Sequence, residues 1–296
     1  MNRQTDSQPS LISWSLLIVL SLIWGTSFIL IKKGLIVLTS GEVGALRIVA
    51  AAIFLSPIAI NNLFKIDRKD WRLLFLLGFT GTFIPAFLFA EAQTNLDSSL
   101  TGVFNALTPL WVLLMGGVFF SHKIRIKQTF GVILGFVGSV ILIMSGSGGN
   151  FQNINYYALY VIAATILYGI NLNIIKHFLG HLKAKVITSV SVLFVGPIAL
   201  VYLIFFTGYF AKAGDTEGFW LATFYIGLLG VMSTAIALVI FNKIVQITTP
   251  IFASSVTYLI PIVAIAWGVL DGEALFVSHY IGISIIMGGI YLVNAK

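Results

Sequence analysis

Cysteine is absent from the 296 residues. That excludes a disulfide framework and any thiolate-ligated metal site, and leaves the redox compartment open. Charge is almost as scarce. Charged side chains make up 9% of the chain, against about a quarter in an average soluble domain. With 58% hydrophobic residues and so few charges, no soluble core could hide the apolar surface, so part of the solvent must be lipid. Acidic residues are the rarer sign, 10 against 17 basic, for a net charge of +7. The basic residues form no continuous face, so the excess does not point to nucleic acid. They gather in short segments between apolar runs, as membrane topology requires.

Catalytic signatures are missing as well. His122, His177, His181 and His279 fall at helix ends or in loops. His177 and His181 are spaced i, i+4 but have no glutamate between them and form no HExxH motif. No GxSxG elbow, phosphate-binding glycine loop or embedded aspartate pair occurs. A membrane enzyme is therefore disfavoured, and no metal or cofactor is expected.

What is present is a series of apolar runs of the length that crosses a bilayer, about 20 residues each. Ten are expected, near 12–32, 43–60, 72–92, 98–120, 127–145, 156–177, 186–207, 219–242, 250–270 and 276–294. The first, too long for a signal-peptide core, is expected to be retained behind a polar tail at 1–11. The best linker is the polar stretch SGSGGNFQNIN, which separates a first unit at 12–145 from a second at 156–294, with 146–155 outside the membrane. With a cytoplasmic N-terminus, thirteen of the seventeen basic residues fall on the inner side. That distribution predicts both termini inside.

The two units echo one another. Trp24–Gly25 with Lys32 returns 144 residues later as Tyr168–Gly169 with Lys176. SPIA at 56–59 returns as GPIA at 196–199, and FLLGFTG at 75–81 as FYIGLLG at 224–230. Pro109 in NALTPLWVLLMGG aligns with Pro261 in TYLIPIVAIAWGV, and FGVILGFVG at 130–138 parallels IGISIIMGG at 281–289. An odd number of helices per unit turns the second upside-down relative to the first. The expected fold is all-α: ten transmembrane helices in two inverted five-helix repeats, an architecture that places a transported solute near mid-membrane between the repeats.

Trp24–Gly25 in the first helix, Arg47 in the second, NALTPL at 105–110 in the fourth and Gly272–Glu273 after the ninth resemble the EamA-domain branch of the drug/metabolite transporter superfamily. The resemblance covers roughly 12–294. It implies a multi-pass carrier of the bacterial cytoplasmic membrane, usually an exporter of amino acids or other small metabolites. One departure is that the position mirroring Glu273 is Ser121, followed by His122, so that motif occurs once.

Polar and aromatic groups at membrane depth face the bundle interior or a wet cavity. Glu91 is the one carboxylate well inside an apolar run, and it reads either as a substrate or proton group or as an ion-pair partner of Arg47. Asn105 and Thr108 precede Pro109, which with Pro261 forms a pair of expected kinks or gating points, the alternative being structural kinks alone. Trp24 and Tyr168 fall mid-span, as cavity walls or as packing, and Asn171 lies one turn from Tyr168 on the same face. Ser233, Thr234, Ser254, Ser255 and Thr257 read as small hydroxyls that pack helices, leaving Tyr258 as the favoured cavity residue there. Lys32 and Lys176 read as snorkelling residues at helix ends. The spacing Gly131-xxx-Gly135 suits close helix approach within the chain, with a homodimer face as the alternative.

Together these features predict a carrier for a small metabolite in the lipid bilayer, cycling by alternating access, with helices 1, 3, 4, 6, 8 and 9 lining its cavity. A passive channel for small solutes is the alternative, although neither rings of charge nor a filter-like carbonyl run is visible.

Overall fold

Where lipid replaces water, each segment must satisfy its own backbone N–H and C=O groups, and a helix does so. The structure, a computed structural model, describes residues 9–294 apart from 97, 122–123, 147–155, 215 and 271–275. Every regular element among the described residues is helical. In chain order they are α1 (Leu11–Gly34), α2 (Ser40–Leu63), α3 (Arg68–Ala92), α4 (Ser98–Asn105), α5 (Thr108–Phe119), α6 (Ile126–Gly146), α7 (Ala158–Phe178), α8 (Ala184–Phe205), α9 (Tyr209–Lys212), α10 (Phe219–Ile247), α11 (Pro250–Ser254), α12 (Val256–Leu270) and α13 (Val277–Asn294). Residues 147–155 of the expected linker and the Gly272–Glu273 motif lie outside the described residues.

Seven of these helices, α1, α2, α3, α7, α8, α10 and α13, are long and apolar enough to cross a membrane. Shorter apolar stretches occur at Thr108–Phe119, Ile126–Ile141 and Pro250–Val263. The exterior is oily: Ile53, Phe205, Trp220 and Phe224 are each more than 60% exposed. A water-facing surface rarely carries so much apolar area, whereas a lipid-facing one requires it. Ser27, Asn171, Thr188 and Asn242 are turned inward and buried.

Contacts exchange between the two units. α2 packs on α8 and α6 on α13, so these pairs join equivalent helices. α1 packs on α12 and α10 of the second unit, and α7 packs on α5 and α3 of the first. The repeated aromatic–glycine pair serves this crossing. A Cβ on Gly25 would lie 2.7 Å from Val263 Cγ1 in α12, and one on Gly169 would lie 2.8 Å from the Trp111 carbonyl carbon in α5. Only a hydrogen at these positions lets the helices approach so closely. The α6 glycines serve the intrachain α6–α13 contact, with Gly131 against the Gly289 carbonyl and Gly138 against Ile286.

Several spans are interrupted where the sequence suggests continuous helix. α1 pauses at Thr26, whose hydroxyl donates back to the Ile23 carbonyl at 2.9 Å. α3 contains a π turn at Phe79–Phe83 and α10 a longer one at Gly230–Ile236. Both begin within or directly after the repeated GxxG segment. Ala106 and Leu107 separate α4 from α5, and Ser255 separates α11 from α12. Pro109 is thus no kink inside a helix: it sits in the first turn of α5, where its missing N–H costs nothing. Pro261 does lie inside a helix, α12.

Candidate functional site

Inward-facing residues of α1, α2, α3, α4, α5, α7, α8, α10 and α12 enclose a cavity of about 100 Å³. One ordered water needs roughly 10–15 Å³ of such space, so the cavity has room for several waters or part of a small solute. Its lining repeats like the sequence. Trp24, Ser27, Phe28 and Ile31 of α1 take the same positions as Tyr168, Asn171, Leu172 and Ile175 of α7. Asn105 and Thr108 likewise correspond to Thr257 and Ile260. The cavity therefore stands where equivalent faces of the two units meet.

Two walls are tied across the unit boundary and a third side is closed within the second unit. Trp24 Nε1 donates to the Ser233 carbonyl at 3.0 Å, and Ser27 Oγ bonds Ser233 Oγ at 2.6 Å. The Trp24 ring meets Phe241 edge-on at 4.9 Å. Arg47 Nε donates to Thr234 Oγ1 at 2.6 Å. Ser233 and Thr234 both lie in the π turn of α10, a distortion common at functional sites because it redirects side chains and frees carbonyls. On the opposite wall Asn171 Nδ2 donates to the Leu77 carbonyl at 3.2 Å and to Thr80 Oγ1 at 3.1 Å, reaching the π turn of α3. Gly81 in that turn makes room, since a Cβ there would strike the Asn171 amide. Asn242 Nδ2 bonds Thr188 Oγ1 at 2.8 Å, closing the α8–α10 side.

The profile of the EamA-like transporter family matches residues 11–144 and again 155–295. The chain belongs to the EamA-like transporter family. Among its relatives are YvbV of Bacillus subtilis (strain 168), an uncharacterized transporter, 24% identical over 95% of this chain and 91% of that protein. YedA of Escherichia coli (strain K12), an uncharacterized inner membrane transporter, is 24% identical over 94% of this chain and 89% of its own length. A probable amino-acid metabolite efflux pump of Salmonella typhimurium is 25% identical over 50% of this chain and 48% of its own. A solved crystal structure shares the fold with a TM-score of 0.72 at 16% identity, covering 95% of this chain and 96% of that one. This EamA-like chain is accordingly a multi-pass membrane transporter.

Of the residues singled out in the sequence, Trp24, Asn105, Thr108, Tyr168 and Asn171 line the EamA-like cavity together. Glu91 does not. It accepts a hydrogen bond from Ser40 Oγ at 2.6 Å, where α3 ends beside the start of α2. The expected Arg47–Glu91 ion pair is corrected with it: Arg47, about two turns along α2 from Ser40, reaches across to α10 instead. Tyr258 is also displaced from the cavity. It is fully buried against Gly135 of α6, and its hydroxyl donates to the Val132 carbonyl at 2.9 Å. Pro109 and Pro261 sit behind the lining. Pro109 has no N–H for the Asn105 carbonyl, and Thr108 Oγ1 takes that carbonyl at 2.7 Å. Lys176 does more than snorkel, since its ammonium reaches the Thr248 carbonyl at the end of α10.

The lining also includes groups that the sequence reading passed over, Ser27, Thr188, Ser191 and Asn242, and three that it assigned to helix packing, Ser233, Thr234 and Thr257. α2 and α8 therefore join the helices expected around the cavity. Ser27 had an available signal, because it stands at the repeat offset from Asn171.

Proposed function

We propose that this chain is a secondary transporter that exports small metabolites such as amino acids across the bacterial cytoplasmic membrane. In this reading ten spans form two inverted five-helix repeats with both termini cytoplasmic, and the cavity opens to each side in turn. The observation that carries the proposal is the cavity's lining by equivalent positions of both units, polar and aromatic inside an oily shell. A site built from equivalent surfaces can trade one opening for the other, because the two arrangements use the same contacts with the units' roles swapped. The relative named a probable amino-acid metabolite efflux pump supports the substrate class. Because α1 packs on α10 and α12, and α7 on α3 and α5, the moving bodies combine helices from both repeats.

The test is flux in proteoliposomes with a panel of labelled amino acids and sugars. Saturable transport that unlabelled substrate competes away supports a carrier. Flux that rises linearly with concentration and resists competition would replace it with a passive channel.

A further inference from the structure

Arg47 is the one charged side chain on the cavity wall, and no carboxylate lines that wall among the described residues. The ion pairs found among the described residues, Lys69–Asp67, His181–Asp70 and Lys212–Glu42, do not involve it. Its guanidinium carries five N–H donors. The bond to Thr234 Oγ1 uses Nε and fixes the side chain between α2 and α10, while the two terminal nitrogens have no protein partner among the described residues. An unpaired cation at membrane depth is costly and needs an anion.

Two further groups stand unpartnered around the same space. Asn105 is only 7% exposed and lines the cavity, yet its side-chain amide has no partner among the described residues. Tyr168 lies within electrostatic reach of Arg47, and its hydroxyl is likewise unpartnered among the described residues. An amide that opens onto this space keeps its donors and acceptor available to a ligand or water. Trp24, Phe28, Phe89 and Phe241 supply the apolar remainder of the wall.

We propose that Arg47, assisted by Asn105 and Tyr168, docks the carboxylate of the transported solute, and that the substrates are small monocarboxylates with an apolar or aromatic body. The inference rests on the transport reading above and narrows it. A guanidinium presents paired donors to a carboxylate, the geometry that gives the strongest side-chain recognition of that group. The stoichiometry sets the class. The position in α8 that corresponds to Arg47 is Ile187, so no second cation arrives by symmetry and a dianion such as a phosphate ester would keep an uncompensated charge.

The experiment compares the 2-oxo acids of phenylalanine and leucine with the corresponding neutral 2-oxo amides. It uses competition for flux in proteoliposomes and thermal stabilisation of the purified full-length protein. The carboxylates should compete and stabilise, and the amides should need about 10- to 100-fold higher concentration, the ratio expected for losing a charged hydrogen-bonded contact. Arg47→Gln should erase that difference, and Arg47→Lys should restore part of it. Equal action of acids and amides on the unaltered protein, or an Arg47→Gln protein that still prefers acids, overturns the inference. Saturable flux of a solute without a carboxylate, undisturbed by the acids, would also sink the anchor while leaving the carrier standing. The absence of saturable flux for every solute would remove the carrier itself. Absence of stabilisation by any acid would overturn the anchor independently of flux.

Discussion

Gly169 of α7 lies directly against the backbone of Trp111 in α5, with 2.8 Å between the Trp111 carbonyl carbon and the place a Cβ would take. Gly25 stands in the same relation to Val263 of α12, except that it meets a side chain. Backbone yields less readily than a valine methyl.

Gly169→Ala is therefore expected to destabilise the protein by ~1–3 kcal/mol, the usual cost of overpacking. Gly25→Ala should cost less. Gly227→Ala is the control, because nothing lies within 4 Å of its added Cβ. Thermal unfolding in detergent would rank the three, and an equal response from Gly169 and Gly227 would disprove the close-approach account.

Trp24 combines a hydrogen bond to Ser233 with a face of the cavity wall. Trp24→Phe keeps most of the wall and loses one bond between protein groups, worth ~1 kcal/mol of stability, so saturable flux should persist while thermal unfolding moves to lower temperature. Trp24→Ala removes the wall and should abolish measurable flux while the protein still inserts. Flux in vesicles alongside thermal unfolding and size-exclusion profiles checks both outcomes.

The π turn in α10 holds Ser233 and Thr234 toward Trp24, Ser27 and Arg47. Deleting Met232 removes the extra residue that the turn accommodates and favours ordinary helix, which keeps the flanking segments near register but turns Ser233 and Thr234 away from their present directions. Transport should be lost with the fold retained. A deletion protein that transports normally would show that the turn does not position the site.

Glu91 accepts a bond from Ser40 outside the cavity lining. Glu91→Gln should retain saturable transport within about three-fold of the unaltered rate, since an amide oxygen still accepts that hydrogen bond. Complete loss of transport in a correctly inserted protein would restore Glu91 to the mechanism.

The all-helical fold was legible because apolar runs separated by short charged segments admit few alternatives, and the duplication because Pro and Gly landmarks recur in order. Trp24, Tyr168 and Asn171 were legible as candidates because they fall mid-span, with Asn171 one turn from Tyr168 on the same face. Other features were hidden by chemistry that composition does not reveal. Serine and threonine at membrane depth read equally as helix packing or as lining, and Ser233 and Thr234 were placed with the former. The π turns carry no strong residue signature, so the register beyond Phe79 and Gly230 could not be followed. Glu91 and Arg47 look like natural partners by sign alone. Their separation depends on helix depth, and Arg47 finds a hydroxyl in the other unit instead.

Because α1 leans on α10 and α12 rather than on its own neighbours, neither half of the polypeptide is a self-sufficient building block. An isolated amino-terminal fragment would present Ser27 and Arg47 to hydrocarbon with their hydroxyl counterparts missing. Joining both copies in one gene guarantees that those counterparts are made together, in equal number and within reach.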